Sequence, residues 1–295
     1  MINLDFRGFA NLLAGKHIVD VACPLCGPDR RDPANRVRKV LRLWQQGGLI
    51  SFHCTRCGES GYVLDGEHRS VNHRSVDHET IARAKAVIVE REKAEAAIQL
   101  GKARWLWRCR QSIAGTFAEH YLRKVRAISC PLPPTLGFIP PRGDHPPVMI
   151  AAFGIATEPE PGVLSIADEA VRGVHLTRLL PDGSGKAEEP AKIMIGRSKG
   201  APIVLAPPND LLGLIIAEGI EDALSAHQAT GLGTWAAGSA SRLPALADQV
   251  PGYIDCVTVL ADDDADGQRH APALAERLVQ RGIHAELSIP GREAS

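Results

Sequence analysis

The sequence predicts a multi-domain α/β protein. Its parts are a small cysteine-paired amino-terminal domain (1–66), a linker and helical segment (67–127), a mixed α+β subdomain (128–210) and a carboxy-terminal α/β domain with a parallel sheet (211–295). Three observations carry this. Four of the seven cysteines fall within the first 66 residues, residues 79–111 are rich in Ala, Glu, Lys and Arg and contain no Pro, and from Leu211 buried-type apolar runs alternate with helical stretches. At 295 residues the chain sits near the size where one core divides into several. No apolar run approaches the roughly 18 residues that a membrane span needs, and the amino terminus lacks a signal-peptide layout. A soluble, cytoplasmic protein with no membrane partner is expected.

Charge is unevenly spread although the whole chain balances 34 Lys+Arg against 34 Asp+Glu. Residues 1–130 hold 22 basic and 13 acidic side chains, a net of +9, whereas residues 211–295 hold 5 and 12, a net of −7. A basic first part suits a polyanion and an acidic last part suits a cation.

Taken in order, residues 1–66 have short apolar runs and a core small enough to need a staple. His68-Arg69-Ser70-Val71-Asn72 is then nearly repeated as His73-Arg74-Ser75-Val76-Asp77, which fits neither a helical nor a strand period and reads as a duplicated linker. A long helix over 79–111 and a second over 116–125 follow. Seven prolines between 131 and 147 break the chain into turns. Strands are expected at 148–153, 163–167, 174–180, 192–195 and 203–205, then a strand, helix, strand, helix succession from 211, its last helix spanning 268–281 with Asp266 as N-cap.

Cys23-Pro24-Leu25-Cys26 and Cys54-Thr55-Arg56-Cys57 are two C-x2-C knuckles separated by 27 residues. In a cytoplasmic protein such a pair reads as a zinc-ribbon-like tetrahedral Zn2+ site, structural because all four positions are filled by protein. The gap exceeds the roughly 15–20 residues usual in such sites, so an extended hairpin is expected between the knuckles. That segment carries Arg36, Arg38, Lys39 and Arg42 with Trp44 and Phe52 close by, a mixture suited to single-stranded nucleic acid.

The second constellation is acidic. The apolar run 211–217 leads directly into Glu218-Gly219-Ile220-Glu221-Asp222, and the run 256–261 leads into Asp262-Asp263-Asp264-Ala265-Asp266-Gly267. Carboxylates at the carboxyl ends of parallel strands occupy the place where open α/β sheets keep functional groups. Asp222 lies one helical turn after Glu218, near the same mouth. Packed carboxylates repel, and such a cluster either binds protons abnormally well or holds a hard cation, here Mg2+.

These residues resemble the Toprim domain of DNA primases, topoisomerases and related nucleases: Glu218-Gly219 after one strand, Asp262-x-Asp264 with Gly267 after another. The form Glu-Gly-x-x-Asp, with Asp222, is most similar to the primase branch, and the knuckles resemble the amino-terminal zinc-binding domain of bacterial replicative primases, with Cys26 in a place often held by His. Tyr121-Leu122-Arg123 and Gly173-Val174-His175-Leu176-Thr177-Arg178, with Lys192 and Lys199, are similar to the basic catalytic subdomain preceding Toprim in primase-like proteins of phages and mobile elements. The resemblance implies primer synthesis on a single-stranded DNA template from nucleoside triphosphates. Glu218, Asp262 and Asp264 would hold catalytic Mg2+ or Mn2+, Glu218 would double as general base, and Asp222 would stand behind them. Arg178, Lys192 and Lys199 would hold template or triphosphate.

Gly183-Ser184-Gly185-Lys186 looks like a phosphate-binding loop, but Leu180 and Ala187 replace required residues, so a hairpin turn is expected. Without that loop, unwinding would fall to a separate replicative helicase or to a part outside this sequence. Two other readings compete with the primase: a Toprim nuclease or recombination accessory protein using the same carboxylates, and a non-catalytic zinc-dependent module that binds single-stranded DNA.

Overall fold

A computed structural model describes residues 6–24, 26, 37–65, 78–188 and 190–289. The chain divides into two compact units, residues 1–84 and 85–295. The linker repeat and Arg36 lie outside the described residues. No described helix is long and apolar enough to cross a membrane.

In the first unit, helix α1 (Phe6–Leu13) lies on a four-stranded antiparallel meander of β1 (Ile18–Ala22), β2 (Lys39–Gln46), β3 (Leu49–Cys54) and β4 (Ser60–Leu64). Alternation along β2 sends Leu41 and Leu43 into the core while Arg42 faces out. Phe9 stacks on Phe52 with ring centroids 4.9 Å apart, closing a core of Leu13, Leu41, Leu43, Ile50 and three of the knuckle cysteines. Phe52 is therefore a core ring, which corrects its reading as a platform for bases: it lies opposite Leu43 and shares the inward face. The expected hairpin between the knuckles is formed by β2 and β3.

The second unit begins within the long helix α2 (His78–Arg108), whose last turns bury Ala103 and Trp107. These pack against Ile150, Ala152, Val174 and Leu176 on one face of an antiparallel sheet of order β10-β9-β6-β5. The strands are β5 (Leu136–Ile139), β6 (Val148–Phe153), β9 (Gly173–Arg178) and β10 (Lys192–Gly196), with a small ribbon of β7 (Thr157–Glu160) and β8 (Val163–Ser165) alongside in sequence. The opposite face, with Met149, Ala151 and Phe153, packs on a one-turn helix α3 (Phe117–His120), which Thr116 caps and which continues as a π-helical turn through Val125.

The last sheet has the order β11-β13-β12-β14-β15: β11 (Ile203–Ala206), β12 (Gly213–Ala217), β13 (Gly233–Ala236), β14 (Cys256–Leu260) and β15 (His284–Ser288). Strands β12 to β15 are mutually parallel and β11 is antiparallel to β13. Helix α4 (Ile220–Thr230) packs through Ile220, Ala223 and Leu224 into the core shared with β5 and β6. A 3-10 helix (Ala240–Gln249) and α5 (Ala265–Gln280) enclose the second core of Leu214, Ile216, Trp235, Val257, Val259 and Leu274. This is the parallel α/β architecture expected of residues 211–295, with β11 added from upstream; across residues 128–295, β5, β7, β13 and β15 lie beyond the expected strands.

Candidate functional site

Strand order decides where the acids meet. β12 and β14 are hydrogen-bonded neighbours, and from β12 the chain moves outward to β13 before returning past it to β14 and β15. The reversal falls between β12 and β14, the crevice position where open parallel sheets bind ligands. Ala217 pairs with Leu260, so Glu218 and the 262–264 loop leave adjacent strands at the same end.

The acids at these strand ends act on one another electrostatically. Burial, then the charges of Asp262 and Asp264, raise the Glu218 carboxyl above its ordinary range, although the Ala240 backbone N–H and Lys192 pull the other way. Asp262 is raised likewise by burial and by Asp222 and Asp264, with Lys192 opposing. Two carboxyls held above their ordinary range by burial and then by like charges are an uncompensated site, the condition that a hard cation relieves. Among the described residues, no three of these carboxylates bring one oxygen each within 4.8 Å of one another, so the cluster is open.

Local backbone explains the loop. Asp264 has extended dihedrals (φ −127°, ψ 172°), and its Oδ1 accepts the Gly267 N–H at 2.7 Å, making Asp264 the N-cap of α5. The helix thus starts at Ala265, which corrects the sequence reading of Asp266 as cap and 268 as start. Asp264 wins because its side chain reaches the N–H three residues on, while Asp266 is already in the first turn. A Cβ on Gly267 would collide with the Asp262 carbonyl, so only glycine lets α5 begin this close to the acidic loop. Asp222 stands half-exposed in the first turn of α4, 4.0 Å from the Arg126 guanidinium.

Side chains that the sequence did not assign to the acidic site surround it. Glu221, 4% exposed, accepts from Tyr121 Oη at 2.8 Å and pairs with Lys186 Nζ at 2.8 Å. Burial pushes Glu221 up, but Lys186 and Tyr121 outweigh it and bring the carboxyl down to about 2. Lys186 belongs to the Gly-Ser turn, which is a hairpin turn as expected, closed by Leu180 N–H to the Gly185 carbonyl and by the Leu179–Lys186 bridge. His175, buried on β9 beside Phe153, is held down to about 4 by desolvation and then by Lys192, with Lys186 and Arg242 adding to it and Glu221 opposing. Arg242 lies over the Phe153 ring and donates Nε to the Ala237 carbonyl.

The basic residues are distributed. Lys192 is exposed and acts electrostatically on Glu218, Asp262 and His175. Arg178 donates to the Pro190 carbonyl, and Lys199 lines a separate cavity of about 520 Å3 with Arg172 and Arg197. In the first unit Arg38 and Lys39 are exposed, whereas Arg42 makes a two-pronged pair with Asp20 at 2.6 and 2.7 Å.

The four cysteines come together. β1 and β3 run in the same direction on either side of β2, so Cys23 just beyond β1 and Cys54 at the end of β3 share one end of the sheet. Sγ of Cys23 lies 4.0 Å from that of Cys57, and Cys26 Sγ lies 3.8 Å from that of Cys54. A tetrahedral zinc with Zn–S bonds of about 2.3 Å requires sulfur separations of about 3.8 Å, so the set fits that ion. Burial raises Cys54, but backbone N–H groups of Cys57 and Arg56 overcome it and bring the thiol down to about 7.

Residues 213–294 match the family model of the Toprim domain, and residues 98–205 match a domain of unknown function (DUF7146). None of the curated proteins matches the sequence. Among solved structures, the Aquifex aeolicus primase (zinc-binding and RNA polymerase domains) is 14% identical, with 94% of this chain and 74% of that chain covered and a TM-score of 0.42. The primase fragment of the bacteriophage T7 primase-helicase protein is 8% identical, with 91% and 88% covered and a TM-score of 0.35. The segment similar to the Toprim domain, residues 213–294, is thus the one that holds four of the five strands of the last sheet and both acidic strand ends.

Proposed function

We propose that the protein is a primase-like nucleotidyltransferase that joins nucleoside triphosphates into short primers on single-stranded DNA. The observation that carries this reading is the convergence of Glu218 with Asp262 and Asp264 at the reversal point of a Toprim sheet, with Glu218 and Asp262 held above their ordinary range. In this reading Glu218, Asp262 and Asp264 hold Mg2+ or Mn2+. When bound, such an ion supplies charge stabilisation to the α-phosphate and to the attacking 3′-oxygen. The 3′-oxygen would displace pyrophosphate from the α-phosphate, and Glu218 would receive the proton that the 3′-hydroxyl gives up. Asp222 stands behind these acids and steadies Arg126. Lys192, opposite the acids, orients the triphosphate, and Arg178 and Lys199 with the exposed Arg38 and Lys39 follow the template. Arg36 and Arg42 are assigned to the template by charge alone, Arg42 having to exchange Asp20 for phosphate. The cysteine tetrad holds structural Zn2+, and strand opening falls to a separate helicase.

The test is incubation of the protein with single-stranded DNA, labelled nucleoside triphosphates and Mn2+. New labelled oligonucleotides that vanish in Glu218→Gln support the reading. Shortened template without new product would replace it with a nuclease, and DNA retention with neither would replace it with a binding module.

A further inference from the structure

Outside both sites, a third set of metal-ligating side chains occurs on the far edge of the parallel sheet. Cys256, His284 and Glu286 each offer a donor atom, and the three atoms lie within 4.8 Å of one another. The arrangement follows from strand register. Cys256 on β14 is paired directly with His284 on β15, and Glu286 stands two residues along, so all three side chains project from one face of the sheet. Burial alternates to match: Val257 and Val259 point into the core beneath α5, while Cys256 is half-buried and His284 and Glu286 are exposed. His284 Nε2 already lies 3.3 Å from Glu286 Oε1. The backbone is fixed under the ligands, since the His284 N–H donates to the Asp255 carbonyl and both strands are hydrogen-bonded along their length.

From this geometry we infer that Cys256, His284 and Glu286 form a second transition-metal site, which takes a thiophilic divalent ion such as Zn2+ through one sulfur, one imidazole nitrogen and one carboxylate oxygen. The donor set selects the ion: a thiolate excludes Mg2+ and Ca2+, which take oxygen ligands, and the mixture of S, N and O is that of zinc and its neighbours. Tetrahedral coordination needs donor separations of about 3.5 Å, and the three donor atoms already lie within 4.8 Å of one another. Three protein ligands leave a fourth position for water or for a donor from another molecule, unlike the closed cysteine tetrad. The inference stands apart from the primase reading, because none of these residues belongs to the acidic site.

The experiment uses the full chain. Wild type, Cys256→Ser, His284→Ala, Glu286→Gln and Cys54→Ser are stripped of metal and titrated with Zn2+ against a chromophoric indicator, and then with Co2+ while the thiolate-to-cobalt absorption is recorded. Wild type is expected to show two classes of site. Cys54→Ser keeps the weaker class, and Cys256→Ser and His284→Ala keep the tighter one but weaken the other by about tenfold or more, since loss of a direct ligand should cost at least as much as loss of its support. His284 and Glu286 are exposed, so their variants should melt as wild type does. Unchanged weaker-class binding in Cys256→Ser and His284→Ala, or one class only in wild type, overturns the inference.

Discussion

Lys186 Nζ lies 2.8 Å from Glu221 Oε1 and so fastens a hairpin turn to the first turn of α4, one residue from Asp222. Removing the lysine leaves a buried carboxylate held by the Tyr121 hydroxyl and its own backbone N–H. Lys186→Met should cost about 2–4 kcal/mol, and Tyr121→Phe about 1–2 kcal/mol. The Glu221 carboxyl is depressed from 4.5 to about 2, so its contribution is complete above pH 4.5 and is lost as pH falls from 4.5 towards 2. Urea midpoints measured across that window should fall steeply for wild type and less steeply for Glu221→Gln.

His175 gives a second pH signature in a separate window. It is held neutral, its folded value lying at about 4 against an ordinary 6.5. The unfolded chain therefore takes up a proton first, and stability present above pH 6.5 is lost as pH falls towards 4, by as much as about 3 kcal/mol. His175→Gln, which cannot titrate, should show a smaller loss between pH 7 and pH 5, whatever its stability at pH 7.

Asp264 has two duties that substitutions can separate. Asparagine caps helices as well as aspartate does, so Asp264→Asn should keep the fold while removing charge from the cation site. Asp264→Ala should lose about 1 kcal/mol as well. Nucleotidyl transfer should fall by about 100-fold or more in both and in Glu218→Gln. Because Glu218 is raised by its neighbours, Glu218→Gln should melt slightly above wild type in the absence of Mg2+. Wild-type transfer rates in Asp264→Asn would exclude it from the site.

Two glycines beside the acids should respond differently. At Gly267 an added methyl meets the Asp262 carbonyl, a backbone atom that cannot turn aside, so Gly267→Ala should lose about 1–3 kcal/mol and displace the acidic loop. At Gly219 the nearest obstacle is the tip of the Asp222 side chain, which can rotate away. Isothermal titration with Mn2+ should show weakened binding in the first variant and a smaller change in the second.

The cysteine tetrad should be a folding device. Cys54→Ser removes a buried ligand from a core that already counts three of the four cysteines among its buried residues. Metal-binding energy in such small domains is folding energy. Amide exchange should accelerate across residues 6–65 and remain slow across the sheets of residues 98–289.

Features set by spacing along the chain were legible in advance. The knuckles declare themselves by C-x2-C spacing, and the acids by following apolar runs that can only be buried strands. Strands β13 and β15 were not legible: the first is four residues containing Gly and Thr, and the second, His-Ala-Glu-Leu-Ser, is an edge strand with much of its length exposed. Gly137 and the surrounding prolines hide β5 in the same way. The Asp264 cap was missed because four acids in five residues offer several equivalent caps, and dihedral angles choose among them. The Tyr121–Glu221 bond joins residues 100 positions apart, and no local pattern links the two partners. Lys186 was hidden by a different cause: its Gly-Ser-Gly-Lys setting drew attention to phosphate and away from an internal carboxylate.

Strand β11 has a consequence for how the protein can be divided. It comes from upstream of the Toprim-matching segment, yet it pairs with β13 and its Val204 carbonyl accepts a hydrogen bond from Thr135. A chain cut at residue 211 would leave β13 as a bare border, with Trp235 and a row of backbone donors and acceptors open to any passing strand. Such a fragment would tend to self-associate edge to edge, whereas one beginning at residue 98 would carry its own protective strand. The boundary of independent solubility therefore lies upstream of the boundary of the family match.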